Sequence, residues 1–394
     1  MNTKTKSLKT KSFIMQERSF PLRGFDFKTY STLLALVGLF IILAIITKGD
    51  FVSARNFTNL TRQIAVNGIL AVGMTMVILT AGIDLSVGSV VALSGIVAGL
   101  LQVKLGLSMW GISGAIISTI AGAATGMLCG AINGGLIAVF RIPPFVITLG
   151  MMVIAAGAAL IFSGSQAISP MSAEFTTIAK GMLSKGMTIT LGGGLAFLWL
   201  AGVVSRTRNR TQKWPALVTT LALEIVVLAF PLYAFTTDRG LPYPVAILII
   251  LAVVCIWGLK NLPFGRFIYA VGGNEEASEL SGISVVKVKW PVYAIMGLLA
   301  GLSGVILTAR LNSASPTIGT MMELDAIAAV VIGGTSLMGG MGTIGGSVIG
   351  AFLIGTLNNG MDLMDINSNY QMVIKGIIII FAVWSDAKTK KKSA

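Results

Sequence analysis

Long apolar runs separated by short polar or basic stretches are the first pattern along this chain. A helix needs ~20 consecutive, mostly apolar residues to cross ~30 Å of hydrocarbon. Runs near that length cover about 31–47, 63–81, 85–103, 112–139, 143–162, 188–205, 216–236, 244–260, 290–310, 324–340, 343–358 and 369–386. Several are short or rich in glycine, so two or three are expected to be bent or only partly spanning. The pattern predicts an all-α polytopic membrane protein with about 10–12 transmembrane helices, some of them discontinuous.

Composition agrees: 55% of the 394 residues are hydrophobic, 11% are charged, and mean hydropathy is +0.87. Soluble domains carry roughly 25% charged residues. The formal charge of +14 would fit nucleic acid, but its placement argues against it. Basic residues cluster at Lys4, Lys6, Lys9 and Lys11, from Arg206 to Lys213, from Lys260 to Lys289, and from Lys388 to Lys392. Each cluster flanks an apolar run, as cytoplasmic segments do under the positive-inside rule. Twelve spans with a cytoplasmic amino terminus place all four clusters on the cytoplasmic side. The organisation read from this is a basic amino-terminal tail (1–30), a transmembrane domain (31–386) and a basic carboxyl-terminal tail (387–394), both tails cytoplasmic. The first run lacks a small-x-small cleavage site and reads as a span. Cys129 and Cys255 lie in apolar segments and indicate neither a disulfide framework nor a metal site. There is no histidine, which excludes Ser-His and Cys-His catalysis and histidine proton relays.

In "ILTAGIDLSVGSVV" (78–91) Asp84 and Ser86 stand between apolar runs. Gly82 can end one helix, and Asp84 or Ser86 can cap the next by accepting its first free N–H groups. An intramembrane carboxylate needs an interior, a partner or water. Two readings stand: a capped hairpin at the cytoplasmic surface, and a helix break near mid-membrane beside a translocation path. The fourth run carries Gly126, Gly130, Gly134 and Gly135, a spacing that permits close helix approach. The 324–358 region is denser still in glycine; tight packing and irregular backbone lining a pathway both fit it.

The longest polar stretch is 261–289. Asn274 reads as an N-cap, Glu275 and Glu276 suit a helix's positive first turn, and Gly282 suits the position after its end. That predicts a short amphipathic helix of about seven residues, with Ala277 and Leu280 as contacts, serving either as a solvated connector or as a docking element. Arg141 precedes Pro143 and Pro144 and reads as a boundary arginine. Glu224 lies within the seventh run and is assigned no role. Glu323 and Asp325 open the tenth run, as caps or as pathway groups. No G-x-x-x-x-G-K-[ST] occurs, so any ATP-driven transport needs an ATPase on another chain.

At "GIDLSVGSVVALSG", "RIPPFVITLG", "FGRFIYAVGGNEEASELSGI", "ELDAIAAVVIGGTSLMGG" and "IGTLNNGM" the chain resembles the membrane permeases of bacterial ribose/xylose-type sugar ABC importers. The extra runs within 188–236 make it similar to the xylose and multiple-sugar subgroup. The resemblance implies a type II importer-like fold in the cytoplasmic membrane and a homodimer joined to a cytoplasmic ATPase. An extracytoplasmic sugar-binding protein would feed it. It implies that Gly272, Gly273, Asn274, Glu275, Glu276, Ala277, Leu280 and Gly282 form the element that couples to the ATPase. It places Asp84 and Ser86 beside the central pathway, and the candidate pathway set is these two with Asn133, Glu323, Asp325, Asn358 and Asn359. No catalytic or metal residue is expected, and no cofactor on this chain, ATP and magnesium belonging to the partner. An ion-coupled secondary transporter of a small polar solute is the alternative.

Overall fold

The computed structural model describes residues 27–194, 196 and 228–391. Residues 1–26 and 392–394, most of the 188–236 pair and Glu224 lie outside the described residues. Thirteen helices carry labels here: α1 (Phe27–Ile46), α2 (Ala54–Leu79), α3 (Val87–Gly99, continued as a π turn to Lys104), α4 (Gly111–Phe140), α5 (Pro144–Ser163), α6 (Ala173–Lys180), α7 (Tyr243–Asn261), α8 (Pro263–Gly273), α9 (Glu275–Leu280), α10 (Val285–Leu311), α11 (Met322–Ile332), α12 (Ile344–Leu363) and α13 (Ser368–Lys391). Among the described residues six helices are long and apolar enough to cross a membrane, and β-structure amounts to two isolated bridges. This is an all-α polytopic membrane protein.

Side chains explain the helix boundaries. Ser53, Asn274, Ser284 and Thr343 each accept the amide of the residue three further on, at the starts of α2, α9, α10 and α12. Pro144, Pro244 and Pro263 occupy first-turn positions, where the missing N–H costs nothing.

At the centre α3, α4 and α10 pack together, with α2 buried beside them. Lipid supplies no hydrophobic drive between helices, so close backbone approach must hold them. A Cβ on Gly126 would lie 2.7 Å from the Gly301 backbone, and one on Gly130 would lie 2.9 Å from that of Gly297. Gly134 meets Trp290 and Tyr293, while Gly135 meets nothing nearer than 3.6 Å. Three of the four glycines thus form the α4–α10 seam.

The tenth run is not a continuous span. α11 has 11 residues, ~17 Å at 1.5 Å per residue, about half the hydrocarbon thickness. The other half is irregular chain. Ala314 pairs with Ile168 and touches Gly99 at the far end of α3, and Gly319 reaches Gly88 at its start. The segment 312–321 therefore runs alongside α3, and α11 completes the crossing. Gly339 and Gly340, at φ +83° and +70°, then turn the chain into α12. Lipid permits such backbone only where protein or water satisfies it.

Candidate functional site: the helix break, the half-helix and the docking helix

α2 ends with the Ala81 amide donating to Ile78 O (2.9 Å) and the Gly82 amide to Val77 O (3.2 Å), a Schellman closure. The left-handed residue is Ala81, at φ +59°, and not Gly82. Gly82 is needed for space, because the Tyr293 hydroxyl sits where a Cβ would go. The expected cap is also corrected: neither Asp84 nor Ser86 accepts an amide of α3's first turn. Asp84 Oδ1 instead accepts from Ser86 N (2.9 Å) and Ser86 Oγ (2.6 Å), and Ser86 Oγ accepts from Asn133 Nδ2 (3.0 Å). The serine hydroxyl donates to Asp84 and accepts from Asn133, and it makes no cap bond to the helix end. All three residues are buried. About eight residues of α4, ~12 Å, separate Asn133 from Arg141 at the helix end, so the motif lies well inside the bundle.

Beyond Asp84 the break touches the 261–284 segment. The Gly340 amide donates to Leu79 O (3.0 Å), and a Cβ on Gly272 would strike that same carbonyl. The end of α2, the glycine turn before α12 and the end of α8 thus share one contact. α9 follows at once. Asn274 Oδ1 accepts from Ala277 N (2.9 Å), and Gly282 takes φ +85° just after the helix. The helix has six residues, one fewer than expected. Glu275 pairs with Lys289, Glu279 pairs with Arg141, and Leu280 is 85% exposed. Arg141, Glu279 and Lys289 were not predicted to anchor this helix. Their only sequence signal was opposite charge, without a spacing to pair them.

Glu323 stands at the start of α11, with its carboxylate against Gly88 in the first turn of α3. It lines a cavity of about 560 Å³ with Gly88 and Ser89 of α3, α5, and Thr317 and Thr320 of the irregular segment. That size is within the range of small-molecule sites. Gly88 and Gly319 pack so closely that a Cβ on either would strike the other's carbonyl. Asp325 faces away, toward α13, where Lys375 Nζ lies 3.2 Å from its Oδ2. Removing one partner strands a half-buried charge, so Lys375→Met should destabilise more than Lys375→Met with Asp325→Asn. A double-mutant cycle read by thermal unfolding should give a coupling of ~0.5–3 kcal/mol.

Asn358 and Asn359 are not part of this region. Asn359 and Asn56 exchange amide hydrogen bonds of 2.9 and 3.2 Å, joining α12 to the beginning of α2. α2 runs on from Asn56 to Leu79, so ~35 Å of helix separates that clasp from the break. Asn358 is buried with its Oδ1 unpartnered.

Residues 56–383 match the family described as branched-chain amino acid transport system / permease component. The chain belongs to this permease family. It is 39% identical over 381 residues to the xylose transport system permease protein of Escherichia coli strain K12, covering 94% of this chain and 95% of the relative. The xylose transport system permease protein of Haemophilus influenzae is 38% identical over 379 residues, covering 95% of this chain and all of the relative. The ribose import permease protein of E. coli K12 is 37% identical over 382 residues, covering 96% of each. No solved structure matches the permease. The matched region contains the α2–α3 break, the short helix α9 and the half-helix of this permease.

Proposed function

We propose that this chain is the inner-membrane permease through which an ATP-binding cassette importer takes up a monosaccharide, xylose or a related sugar. The near-full-length identity to xylose and ribose permeases carries the reading. The cavity beside α11 supports a sugar over an amino acid. Its polar lining combines Ser89, Thr317 and Thr320 with the Glu323 carboxylate, which suits neutral hydroxyl donors and repels a substrate carboxylate.

In this reading the 261–284 face and both termini are cytoplasmic, and α9 seats in a separate ATPase that holds ATP and magnesium. Two permeases pair, and an extracytoplasmic binding protein delivers sugar. ATP binding shifts the permease only by favouring one of its states, so α9 must meet different ATPase geometries in the two. The contact among Leu79, Gly272 and Gly340 gives that motion a route to the α2–α3 break and to the glycine turn after α11. Glu323 and its hydroxyl neighbours form the sugar-facing wall, and Asp325 is held by Lys375.

Proteoliposomes with the permease, ATPase and loaded binding protein should accumulate labelled xylose or a related sugar only with ATP. Glu323→Gln should slow uptake at least about tenfold while leaving assembly intact. Uptake that persists without the ATPase and collapses with an uncoupler would refute the reading in favour of ion coupling. Uptake of a branched-chain amino acid in place of sugar would refute the substrate assignment.

A further inference from the structure

The α2–α3 break holds a buried acid that no basic side chain neutralises. Asp84 is 2% exposed and joins none of the ion pairs among the described residues. Ser86 serves one carboxylate oxygen, and no hydrogen bond among the described residues reaches the other. The basic groups nearest along α4 and α10 are already used, Arg141 by Glu279 and Lys289 by Glu275.

Two more buried oxygens near this acid have no partners. Asn133 gives its Nδ2 to Ser86, which leaves Oδ1 unsatisfied in a side chain with no exposure. The Tyr293 hydroxyl is equally buried and unpartnered and lies against Gly82, two residues before Asp84. An unsatisfied buried polar group costs ~1–3 kcal/mol, and an unpaired carboxylate several more. The carboxyl end of α2 terminates here too, adding the negative end of its dipole. Broken helix ends with oxygen ligands are where transporters hold alkali cations.

We propose that Asp84, Asn133 Oδ1 and the Tyr293 hydroxyl oxygen form a binding site for one monovalent cation of the sodium class. One carboxylate balances one unit of charge, so a divalent ion would leave the pocket as unbalanced as it is without one. A sugar is excluded by size, since the α4 and α10 backbones close on each other around Gly130 and Gly134. The bound ion would tie α3, α4 and α10 to the break that touches Gly272. The site does not depend on what the permease carries, and its test involves no transport.

The test is the thermal unfolding midpoint of the purified permease in sodium, potassium or choline chloride at equal ionic strength, with direct sodium titration by calorimetry. The expected result is a saturable rise in midpoint with sodium and none with choline. Asp84→Asn should abolish the sodium response. Tyr293→Phe, which keeps the ring and its packing, should weaken sodium binding about tenfold. Equal midpoints in sodium and choline would overturn the site, as would a full sodium response in Asp84→Asn. A midpoint that follows pH and ignores the alkali ion would place a proton on Asp84 and overturn it equally. Should Asp84→Asn fail to fold, unchanged sodium affinity in Tyr293→Phe is the overturning result.

Discussion

Gly130→Val should leave little folded permease, whereas Gly135→Ala should fold at least as well as the parent. The two glycines are five positions apart on α4, and composition does not distinguish them. A Cβ at Gly130 meets the Tyr293 carbonyl and lies 2.9 Å from the Gly297 Cα and amide nitrogen, all of them backbone atoms of α10. Nothing there can rotate away, so the helices must separate. Overpacking typically costs ~1–3 kcal/mol where side chains can adjust, and this contact belongs at or above the upper end. Separation would also reach Tyr293 and Asn133, which flank the break. At Gly135 the nearest atoms are Trp290 side-chain atoms at 3.6 and 3.7 Å, an ordinary contact. Alanine there gains up to ~1 kcal/mol of helix propensity. Monodisperse yield and unfolding midpoint of the two variants check the contrast. Equal behaviour would mean that the α4–α10 seam does not hold the bundle.

Leu280→Asp should leave the permease folded and abolish its co-purification with the ATPase. A six-residue helix is too short to persist alone, and α9 stands because Asn274 caps it and two ion pairs hold it to α4 and α10. Leu280 contributes little to that support, being 85% exposed, and it presents a large apolar side chain outside the bundle. Buried in a partner's pocket, such a residue is worth 2 kcal/mol or more, so affinity should fall at least ~30-fold. Arg141→Ala, which removes one exposed ion pair, should cost only ~0–1 kcal/mol. Unchanged assembly of Leu280→Asp would refute the docking role of α9.

The membrane architecture was legible because lipid imposes a length and a composition on every crossing. The runs at 63–81, 85–103, 112–139, 143–162, 244–260 and 290–310 all coincide with long apolar helices. The short helix α9 was legible because its signals are local: an Asn cap, two acids in the first turn and a glycine beyond the end. The 324–340 run left two readings open, since apolar and glycine residues count alike in a straight helix and in half a helix followed by turns. At the break, Ala81 rather than Gly82 takes the left-handed position, because the second residue had to yield its Cβ volume to Tyr293.

By itself the sequence determined the class of molecule, six of its crossings, the family resemblance and the position of the short helix α9, since all of these follow from properties of contiguous residues. Tertiary structure alone decided which polar groups meet. Asp84, Ser86 and Asn133 came together with Tyr293, Asp325 went to Lys375, Glu323 turned to the cavity, and the two asparagines of α12 joined a remote clasp and a separate buried site. Apart from Asp84 and Ser86, the residues that meet here sit tens to hundreds of positions apart. Their meeting is set by which helices can approach closely, and that depends on where each glycine faces another backbone.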